Sequence, residues 1–222
     1  MGMKPLAIFY HCIVEGGATG VSPVHSIPII AEQMQALKES GLHDAATEFH
    51  VGLNGDEAAS VLLMMLAGEK ARITIHGKSA RSEIPTLALL QRWLPGHPGW
   101  YVLYFHPKGV TALGQKLRED WRRCMMRAVV WGWRQCISEL DKGADAAGCH
   151  WLTPERFGSC VKTPYFGGTF WWAKSDFLMT LPPLPTPTWE NRYEAESWIG
   201  RGPRRPVVVD YHPEWPGGGC HG

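Results

Sequence analysis

The stretch Trp100-Tyr-Val-Leu-Tyr-Phe105 is the strongest strand signal in the chain, because it is an unbroken apolar run of strand-forming residues. A strand that is apolar on both faces is typical of the centre of a parallel sheet, where helices cover both sides. The run ends at His106-Pro-Lys-Gly109, which has the composition of a turn. We therefore expect residues 100–105 to form the central strand and this turn to lie at its carboxyl end.

Strand and helix signals alternate on the N-terminal side of this run. Strand-like segments stand at residues 6–10, 49–53 and 72–76, and helix-like segments stand at 28–38, 57–66 and 84–93. We expect Pro28 to open the first of these helices and Asp56 to cap the second. Strands separated by helices of this length predict right-handed crossovers. The predicted fold is an α/β, Rossmann-like domain with a mostly parallel central sheet flanked by helices.

The C-terminal half has a different pattern. Residues 113–140 carry apolar side chains at three- and four-residue steps and predict one long helix. A proline-rich connector at 182–187 leads to a short predicted helix at 192–200. Residues 206–211 are expected either to form a closing strand or to lie across the surface.

Charge and cysteine content narrow the classes of function. The 222 residues include 22 Lys and Arg against 21 Asp and Glu, and this balance argues against a nucleic-acid-binding surface. The 6 cysteines include no Cys-x-x-Cys pair, which favours reduced thiols over a zinc site. No apolar run reaches the ~18 residues of a membrane helix, and no secretory signal is recognised. We expect a soluble, cytoplasmic protein.

The turn His106-Pro-Lys-Gly109 is the first candidate site. In open α/β sheets, ligands bind beyond the carboxyl ends of the strands, where this turn is expected. Lys108 can neutralise a diphosphate as a point charge, His106 can contact the ligand, and Gly109 allows a close backbone approach. The alternative is an ordinary turn with an exposed lysine and a hydrogen-bonded histidine.

The second candidate is the segment Phe166-Gly-Gly-Thr-Phe-Trp-Trp-Ala-Lys-Ser-Asp-Phe177. Paired glycines allow backbone contact with a ligand, and tryptophan faces stack on sugars while neighbouring polar groups bind hydroxyls. The alternative is a core strand leading into a helix, in which Trp171 and Trp172 point to opposite faces and at least one of them is core. The candidate substrate-binding residues of this segment are Gly167, Gly168, Thr169, Trp171 and Trp172, and Asp176 is the candidate for binding a sugar hydroxyl.

The third and fourth candidates follow the proline-rich connector. On a helix, Glu194 and Glu196 point to different sides, and either carboxylate could deprotonate an acceptor hydroxyl. Arg192 is a candidate partner for a carboxylate or phosphate. Arg201 belongs to a basic run that could grip a pyrophosphate. The alternatives are an ordinary solvated helix face and a solvated basic turn.

The order of these motifs resembles that of small bacterial and viral proteins similar to GT-A-type glycosyltransferases. Their pattern Phe-Ser-Gly-Asn-Phe-Trp-Trp-Ala stands here as Phe166-Gly-Gly-Thr-Phe-Trp-Trp-Ala173, with Thr169 in place of Asn. Arg192-Tyr-Glu-Ala-Glu-Ser-Trp-Ile199 also matches, and the matches span residues 101–199. The resemblance implies a nucleotide-sugar donor, a saccharide or other small acceptor, and a single GT-A-like domain. Its parts are a nucleotide-binding half (1–110), an acceptor-binding half (111–205) and a C-terminal tail (206–222).

GT-A enzymes usually hold a divalent metal on the donor diphosphate through an Asp-x-Asp motif, which this sequence lacks. Fixed basic side chains can replace a cation at a leaving phosphate. The hypothesis is therefore a metal-independent transfer, with no cofactor expected and Mn²⁺ or Mg²⁺ as the alternative. The groups proposed for the leaving diphosphate are His106, Lys108 and Arg201 or Arg204, and the proposed base is Glu194 or Glu196.

Two other functions stay open. A non-catalytic carbohydrate- or nucleotide-binding domain is favoured by the missing Asp-x-Asp, and turnover of a nucleotide-sugar would reject it. A protein-interaction module would use a Trp-rich surface and would show a large exposed apolar patch. Convergence of His106, a tryptophan and Glu194 in one pocket would argue against that second alternative.

Overall fold

The computed structural model describes residues 4–14, 23–77, 82–110, 115–158, 161–185 and 192–213. The strands in these residues are β1 (Leu6–Ile13), β2 (Glu48–Asn54), β3 (Ala71–Ile75), β4 (Tyr101–Phe105), β5 (Ala146–Gly148), β6 (Trp151–Leu152), β7 (Tyr165–Phe166), β8 (Trp171–Lys174) and β9 (Val208–Asp210). The α-helices are α1 (Pro23–Glu39), α2 (Leu42–Ala45), α3 (Glu57–Ala67), α4 (Ile84–Trp93), α5 (Lys116–Met126), α6 (Trp133–Asp141), α7 (Pro154–Phe157), α8 (Ser175–Leu178) and α9 (Arg192–Ser197). Short 3₁₀ turns follow α4 and α9, at Leu94–Gly96 and Trp198–Gly200.

Seven of these strands form one sheet in the order β3-β2-β1-β4-β8-β5-β9. The strands β3, β2, β1 and β4 are parallel to one another, β8 is antiparallel to both of its neighbours, and β9 is parallel to β5. The strands β6 and β7 form a separate antiparallel pair. The predicted α/β fold with a mostly parallel central sheet is confirmed, and β4 is its middle strand, as the apolar run predicted.

The sheet separates two apolar layers, and the side chains of β4 alternate between them. Tyr101, Leu103 and Phe105 pack in the layer that contains α1, α5 and α6, whereas Val102 and Tyr104 pack in the layer of α4 and α9. All five side chains are at most 1% exposed. Because each buried Å² of apolar surface contributes roughly 25 cal/mol, β4 stabilises both layers at once.

The predicted single helix at 113–140 is wrong, because a π-helical turn at Arg127–Trp131 separates α5 from α6. The amide of Gly132 donates to the carbonyl oxygen of Arg127 at 3.0 Å, a bond over five residues that widens the turn. A Cβ at position 132 would lie 2.6 Å from the carbonyl oxygen of Ala128, so this close approach requires glycine. Apolar periodicity continues through such a turn and does not register it.

The boundaries of two other elements test the helix signals. Asp56 Oδ1 accepts a hydrogen bond from the amide of Ala59 at 2.9 Å, which confirms the predicted cap of α3. Pro28 lies inside α1 instead of opening it, since the helix begins at Pro23. The carbonyl that Pro28 cannot satisfy belongs to Val24, which is 76% exposed, so water can replace the lost bond.

The strand β9 is the outermost strand of the sheet on one side and pairs with β5. The carboxylate of Asp210 accepts hydrogen bonds from the amides of His150 at 2.8 Å and Trp151 at 2.9 Å. Of the two alternatives for residues 206–211, the closing strand is therefore the one observed, and this part of the expected C-terminal tail belongs to the sheet. Within the described part of the chain, no helix combines the length and the apolar character needed to cross a membrane.

Candidate active site

His106 and Gly168 join the end of β4 to the beginning of β8. Because β8 is antiparallel to β4, residues that precede β8 lie at the same edge of the sheet as residues that follow β4. The Nε2 atom of His106 lies 2.8 Å from the carbonyl oxygen of Gly168 and donates to it. Gly168 has a φ of +90°, and a Cβ there would lie 2.7 Å from Sδ of Met125. Glycine is thus required for the local backbone, whatever ligand contact it makes.

The turn after β4 is held by side chains of neighbouring elements. The Nε2 atom of Gln33 on α1 donates to the carbonyl oxygen of His106 at 3.0 Å, and Gln33 Oε1 accepts from the Tyr10 hydroxyl at 2.7 Å. Arg122 on α5 donates to the carbonyl oxygen of Lys108 at 3.2 Å. These bonds fix the backbone from which the side chains of His106 and Lys108 project.

Arg122 is itself a buried cation, with only 4% of the residue exposed. Its Nη2 atom donates to Glu32 Oε2 at 2.8 Å, which compensates part of the cost of burying the guanidinium. Gly109 has a φ of +98°, and a Cβ there would lie 3.3 Å from Nη1 of Arg122. The glycine therefore lets the guanidinium lie directly against the turn.

Lys108 and Arg118 place two cations against one indole ring. The Nζ atom of Lys108 lies 4.2 Å from the ring centroid of Trp121, and the Cζ atom of Arg118 lies 5.4 Å from it. Burial lowers the pKa of Lys108, Glu196 and Glu83 oppose this shift, and Arg118 adds to it. Glu196 and Glu83 are thus the acidic groups near Lys108. Two neighbouring cations on one indole ring can attract an anion.

Glu83 is an acidic residue of this edge that the sequence analysis missed. It lies directly before α4, its Oε2 accepts from the Tyr104 hydroxyl at 3.1 Å, and its Oε1 lies 3.8 Å from Nδ1 of His106. The side chain is 14% exposed. Burial raises the pKa of Glu83 from its ordinary 4.5 to about 7, although Lys108 and Tyr104 act to lower it. The available signal was an acidic residue just before a helix that begins beyond the carboxyl end of a strand.

His106 is neutral at pH 7. Burial and Lys108 lower its pKa to about 4, against the opposing effects of the Gly168 carbonyl and Glu196. Because a carbonyl oxygen only accepts, the proton of the neutral ring is assigned to Nε2 and the lone pair to Nδ1. The lone pair therefore belongs to the ring atom that lies nearest to the Glu83 carboxyl.

Glu194 and Glu196 on α9 have different surroundings. The charge of Glu196 raises the pKa of both Lys108 and His106, which indicates that its carboxylate lies near these two side chains. Glu194 instead accepts a hydrogen bond from Nη1 of Arg201 at 3.0 Å. The structure brings Glu196 toward the turn after β4, whereas Glu194 and Arg201 are paired with each other.

Trp171 and Trp172 both lie in the core, on opposite faces of the sheet. They are 1% and 0% exposed. Trp171 stacks on Tyr104 with ring centroids 5.2 Å apart, and the Trp172 indole donates to the carbonyl oxygen of Val129 at 2.8 Å. The sequence predicted that at least one of the two tryptophans is a core residue, and the structure shows that both are. Neither indole therefore presents a face on which a sugar could stack.

The direction of β8 separates Asp176 from the residues that precede the strand. Asp176 follows β8, and at the opposite edge of the sheet its Oδ1 accepts from the amide of Gly99 at 3.0 Å. The structure therefore does not bring Asp176 to the edge of His106 and Lys108. Thr169 does lie at that edge, with a φ of +58° and a buried hydroxyl that finds no hydrogen-bond partner within the described part of the chain. The amide of Gly167 donates to the carbonyl oxygen of His150 at 2.9 Å.

The basic run after α9 forms ion pairs with the body of the domain. Arg204 binds Asp145 through two hydrogen bonds of 2.6 and 2.7 Å, and Arg205 donates to Glu155 at 3.3 Å. These arginines connect the chain before β9 to β5 and α7, an arrangement that neither a pyrophosphate grip nor a simple solvated turn describes. The backbone of Arg192 begins α9, and its side chain lies outside the described part of the structure.

A second polar group that sequence reasoning missed lies on the α4 side of β1 and β3. The Thr86 hydroxyl lies 2.9 Å from Nδ1 of His11 and 3.2 Å from Nε2 of His76. Burial lowers the pKa of His11 well below its usual range, and His106 and His76 add to this effect. A Cβ at Gly52 would lie 2.1 Å from the Thr86 hydroxyl, so this glycine makes room for the cluster.

The residues that follow β4 do not fit a divalent metal. The Nε2 atom of His106 donates to a carbonyl oxygen, and the ammonium of Lys108 repels a cation. Across the described ranges, no group of three His, Cys, Asp or Glu side chains is arranged to hold a metal ion.

A family model described as a domain of unknown function (DUF8361) matches residues 9–195. The chain belongs to the DUF8361 family. No curated protein matches this DUF8361 sequence.

Several solved structures are similar to this DUF8361 chain. One is a 4-diphosphocytidyl-2C-methyl-D-erythritol synthase, with 13% sequence identity, a TM-score of 0.47, and coverage of 95% of this chain and 90% of that chain. Another is glucosyl-3-phosphoglycerate synthase from Mycobacterium tuberculosis, with 12% identity, a TM-score of 0.45, and coverage of 94% and 70%. A third is a nucleotidyl transferase from Methanothermobacter thermautotroptrophicus, with 12% identity, a TM-score of 0.42, and coverage of 94% and 88%. Likeness at this level does not carry an activity over to the DUF8361 chain.

Proposed function

We propose that this chain is a nucleotide-linked transferase, and specifically a glycosyltransferase that takes a nucleotide-sugar donor. The observation that carries the proposal is the pair of cations, Lys108 and Arg118, placed on Trp121 beyond the carboxyl end of the middle strand. Ligands of open α/β sheets bind at this edge. A diphosphate supplies the negative charge that two neighbouring cations attract.

Lys108 is proposed to neutralise the charge that develops on the leaving diphosphate. Burial and the proximity of Arg118 make its ammonium less stable in the absence of an anion, so an arriving phosphate relieves both effects. The turn that carries Lys108 is fixed by Arg122 and Gln33. A fixed charge aimed at a developing charge stabilises a transition state without reorganisation, which is why a metal is not required at this position.

The burial of Trp171 and Trp172 changes how the sugar would be recognised. Since neither indole is exposed, the proposal assigns sugar and acceptor binding to polar groups at the edge. Glu196 lies near Lys108 and His106, and Glu83 lies within 3.8 Å of His106. These carboxyl groups can accept hydrogen bonds from hydroxyl groups of a sugar.

Ligand-induced thermal shifts test the binding half of the proposal. We would screen UDP, GDP and CMP and their sugars against the wild-type chain and the Lys108→Met and Arg118→Met variants. A ligand at 100 times its Kd stabilises a protein by about 2.7 kcal/mol, which is readily measured as a rise in Tm. We expect each variant to lower the nucleotide affinity at least about tenfold, because a charge-assisted hydrogen bond to phosphate is lost.

Lys116→Met is the matched control, since Lys116 lies in the same helix as Arg118 and its side chain is 88% exposed. We expect it to bind nucleotides as the wild type does. The proposal is contradicted if no nucleotide raises the Tm, or if Lys116→Met weakens binding as much as the other two variants.

Hydrolysis of the bound donor, measured with and without EDTA, tests the metal-independent version. We expect equal rates in both conditions. Activity that is abolished by EDTA and restored by Mn²⁺ would overturn it. Nucleotide binding without release of any sugar would favour the non-catalytic binding domain.

A further inference from the structure

We propose that Glu83, and not Glu194 or Glu196, is the group that takes the proton from the acceptor hydroxyl. This inference rests on the proposed transferase function. It assigns the catalytic base to a residue of the N-terminal half, opposite to the sequence-based hypothesis.

The first argument is the position of the carboxyl group. Glu83 lies at the beginning of α4 and faces the turn after β4, which carries Lys108, one of the two cations proposed to bind the diphosphate. Its Oε2 is oriented by the Tyr104 hydroxyl at 3.1 Å, and 14% of the side chain is exposed, so a ligand can reach it. A base that is oriented by a partner and accessible from one side meets the geometric requirement for proton transfer.

The two alternative bases, Glu194 and Glu196, each already interact with a cationic side chain. Glu194 accepts a hydrogen bond from Nη1 of Arg201 at 3.0 Å, so its carboxylate is already engaged. Glu196 acts electrostatically on the cation Lys108, where its charge is needed as a counterion. Glu83 also opposes the pKa shift of Lys108, but Tyr104 is the direct hydrogen-bond partner of its carboxyl group.

Glu83 also changes its protonation state in the pH range in which a general base must work. Its environment raises the pKa to about 7, so the carboxyl group can both accept and release a proton at neutral pH. The titratable groups that face it are Tyr104 on β4 and, in the turn that follows, His106 and Lys108. His106 is neutral in this range, and its Nδ1 lone pair can accept a hydrogen bond from the protonated carboxyl group.

The acceptor hydroxyl gives its proton to the ionised carboxylate of Glu83, and the oxygen lone pair forms a bond to the anomeric carbon of the donor. The bond between that carbon and the diphosphate oxygen breaks, and its electron pair leaves with the nucleoside diphosphate beside Lys108. The proton on Glu83 is then released to the departing diphosphate, which restores the carboxylate.

Glu83→Gln tests the assignment, with Glu57→Gln at the exposed start of α3 as the control. The probes are UDP-glucose and GDP-mannose, with nucleotide binding measured by thermal shift and turnover by release of nucleoside diphosphate. We expect Glu83→Gln to bind nucleotide within about threefold of wild type and to lose at least about 100-fold in kcat, the usual contribution of a general base. Turnover by Glu83→Gln within about threefold of wild type would overturn the inference while leaving the transferase proposal intact.

Two further readouts keep the test decisive. Infrared spectra of the wild-type chain between pH 5 and 9, subtracted from those of Glu83→Gln, should show one protonated carboxyl group that titrates near pH 7. A Glu83 carboxyl group that is already ionised at pH 5 overturns the inference whatever the kinetics. Tyr104→Phe removes a hydrogen bond that lowers the pKa of Glu83, so the rise of turnover with pH should move to higher pH. Failure of the wild-type chain to bind nucleotide or to turn over a donor instead contradicts the proposed function itself.

Discussion

The Nε2 atom of His106 lies 2.8 Å from the carbonyl oxygen of Gly168, across 62 residues of sequence. This bond fixes the tautomer of His106 and ties the turn after β4 to the turn before β8. Gly168 itself has a φ of +90°, a backbone conformation that favours glycine. A glycine is therefore the residue that presents the carbonyl oxygen to the imidazole of His106.

Replacement of Gly168 by alanine is expected to destabilise the chain by about 2 kcal/mol, because the new Cβ enters a strained backbone conformation and meets Met125 Sδ at 2.7 Å. The matched control is Gly99→Ala, where φ is +76° and no atom lies within 4 Å of the added Cβ. Urea unfolding should show the larger loss for Gly168→Ala, and the ¹⁵N shifts of His106 should change only in that variant. Equal losses would show that the packing against Met125 and the bond to His106 contribute nothing.

Trp172→Phe is expected to lower stability by about 2–4 kcal/mol without changing the affinity for nucleotide. The substitution leaves a cavity in a fully buried site and removes the hydrogen bond to the Val129 carbonyl oxygen in the π-helical turn. Trp131→Phe, at a position that is 47% exposed, should stay within about 0.5 kcal/mol of wild type. Loss of ligand binding in folded Trp172→Phe would mean that the indole contacts the ligand after all.

Glu83→Gln should stabilise the chain at high pH. The pKa of Glu83 is raised from 4.5 to about 7 in the folded state, so its favourable contribution is complete below pH 4.5 and is lost as the pH rises to 7. Because glutamine does not ionise, the variant should gain stability over wild type across this window, up to about 3 kcal/mol, and keep that gain above pH 7. Denaturant unfolding at pH 4, 6 and 8 measures the difference. Parallel curves for the two proteins would contradict the burial-driven shift.

Asp145→Asn should weaken the attachment of β9. Burial alone would raise the pKa of Asp145, but the hydrogen bonds from Arg204 and from the Val207 amide outweigh it and lower the pKa. The stability gained from this carboxylate is therefore present above pH 3.8 and disappears as the pH falls below it. We expect a loss of about 1–2 kcal/mol at pH 7, reduced by solvent screening of the exposed guanidinium, and no difference at pH 2. Hydrogen exchange of the β9 amides should locate the loss.

The N-terminal half could be predicted from local patterns, because each strand and helix there is a short, separately punctuated segment. The bounds of α4 and the cap of α3 were correct for this reason. The π-helical turn could not be found, since one extra residue in a helical ladder leaves the apolar spacing almost unchanged. The reversed direction of β8 was also beyond reach, because Trp171-Trp-Ala-Lys174 is equally apolar whichever way the strand runs.

Among the candidate site residues too, local features could be predicted from the sequence and features that depend on tertiary contacts could not. The position of His106 and Lys108 beyond a strand end could be predicted because a strand end is a local feature, and ligands bind at such ends in open α/β sheets. Glu83 was missed because its importance depends on Tyr104 and His106, which lie on another element. Trp171 and Trp172 were overvalued, since a tryptophan pair looks the same in a sugar site and in a core until burial is known.

The place of β8 in the chain also has a consequence for the order in which the chain can fold. The strands β1 to β4 pair with one another and are all synthesised before β8, which can pair with β4 only after it has emerged. We expect a chain still emerging from the ribosome to form the turn of Lys108 before it acquires the carbonyl that orients His106. Reactivity at this edge would then be withheld from nascent and truncated chains and would arise only when the second half docks.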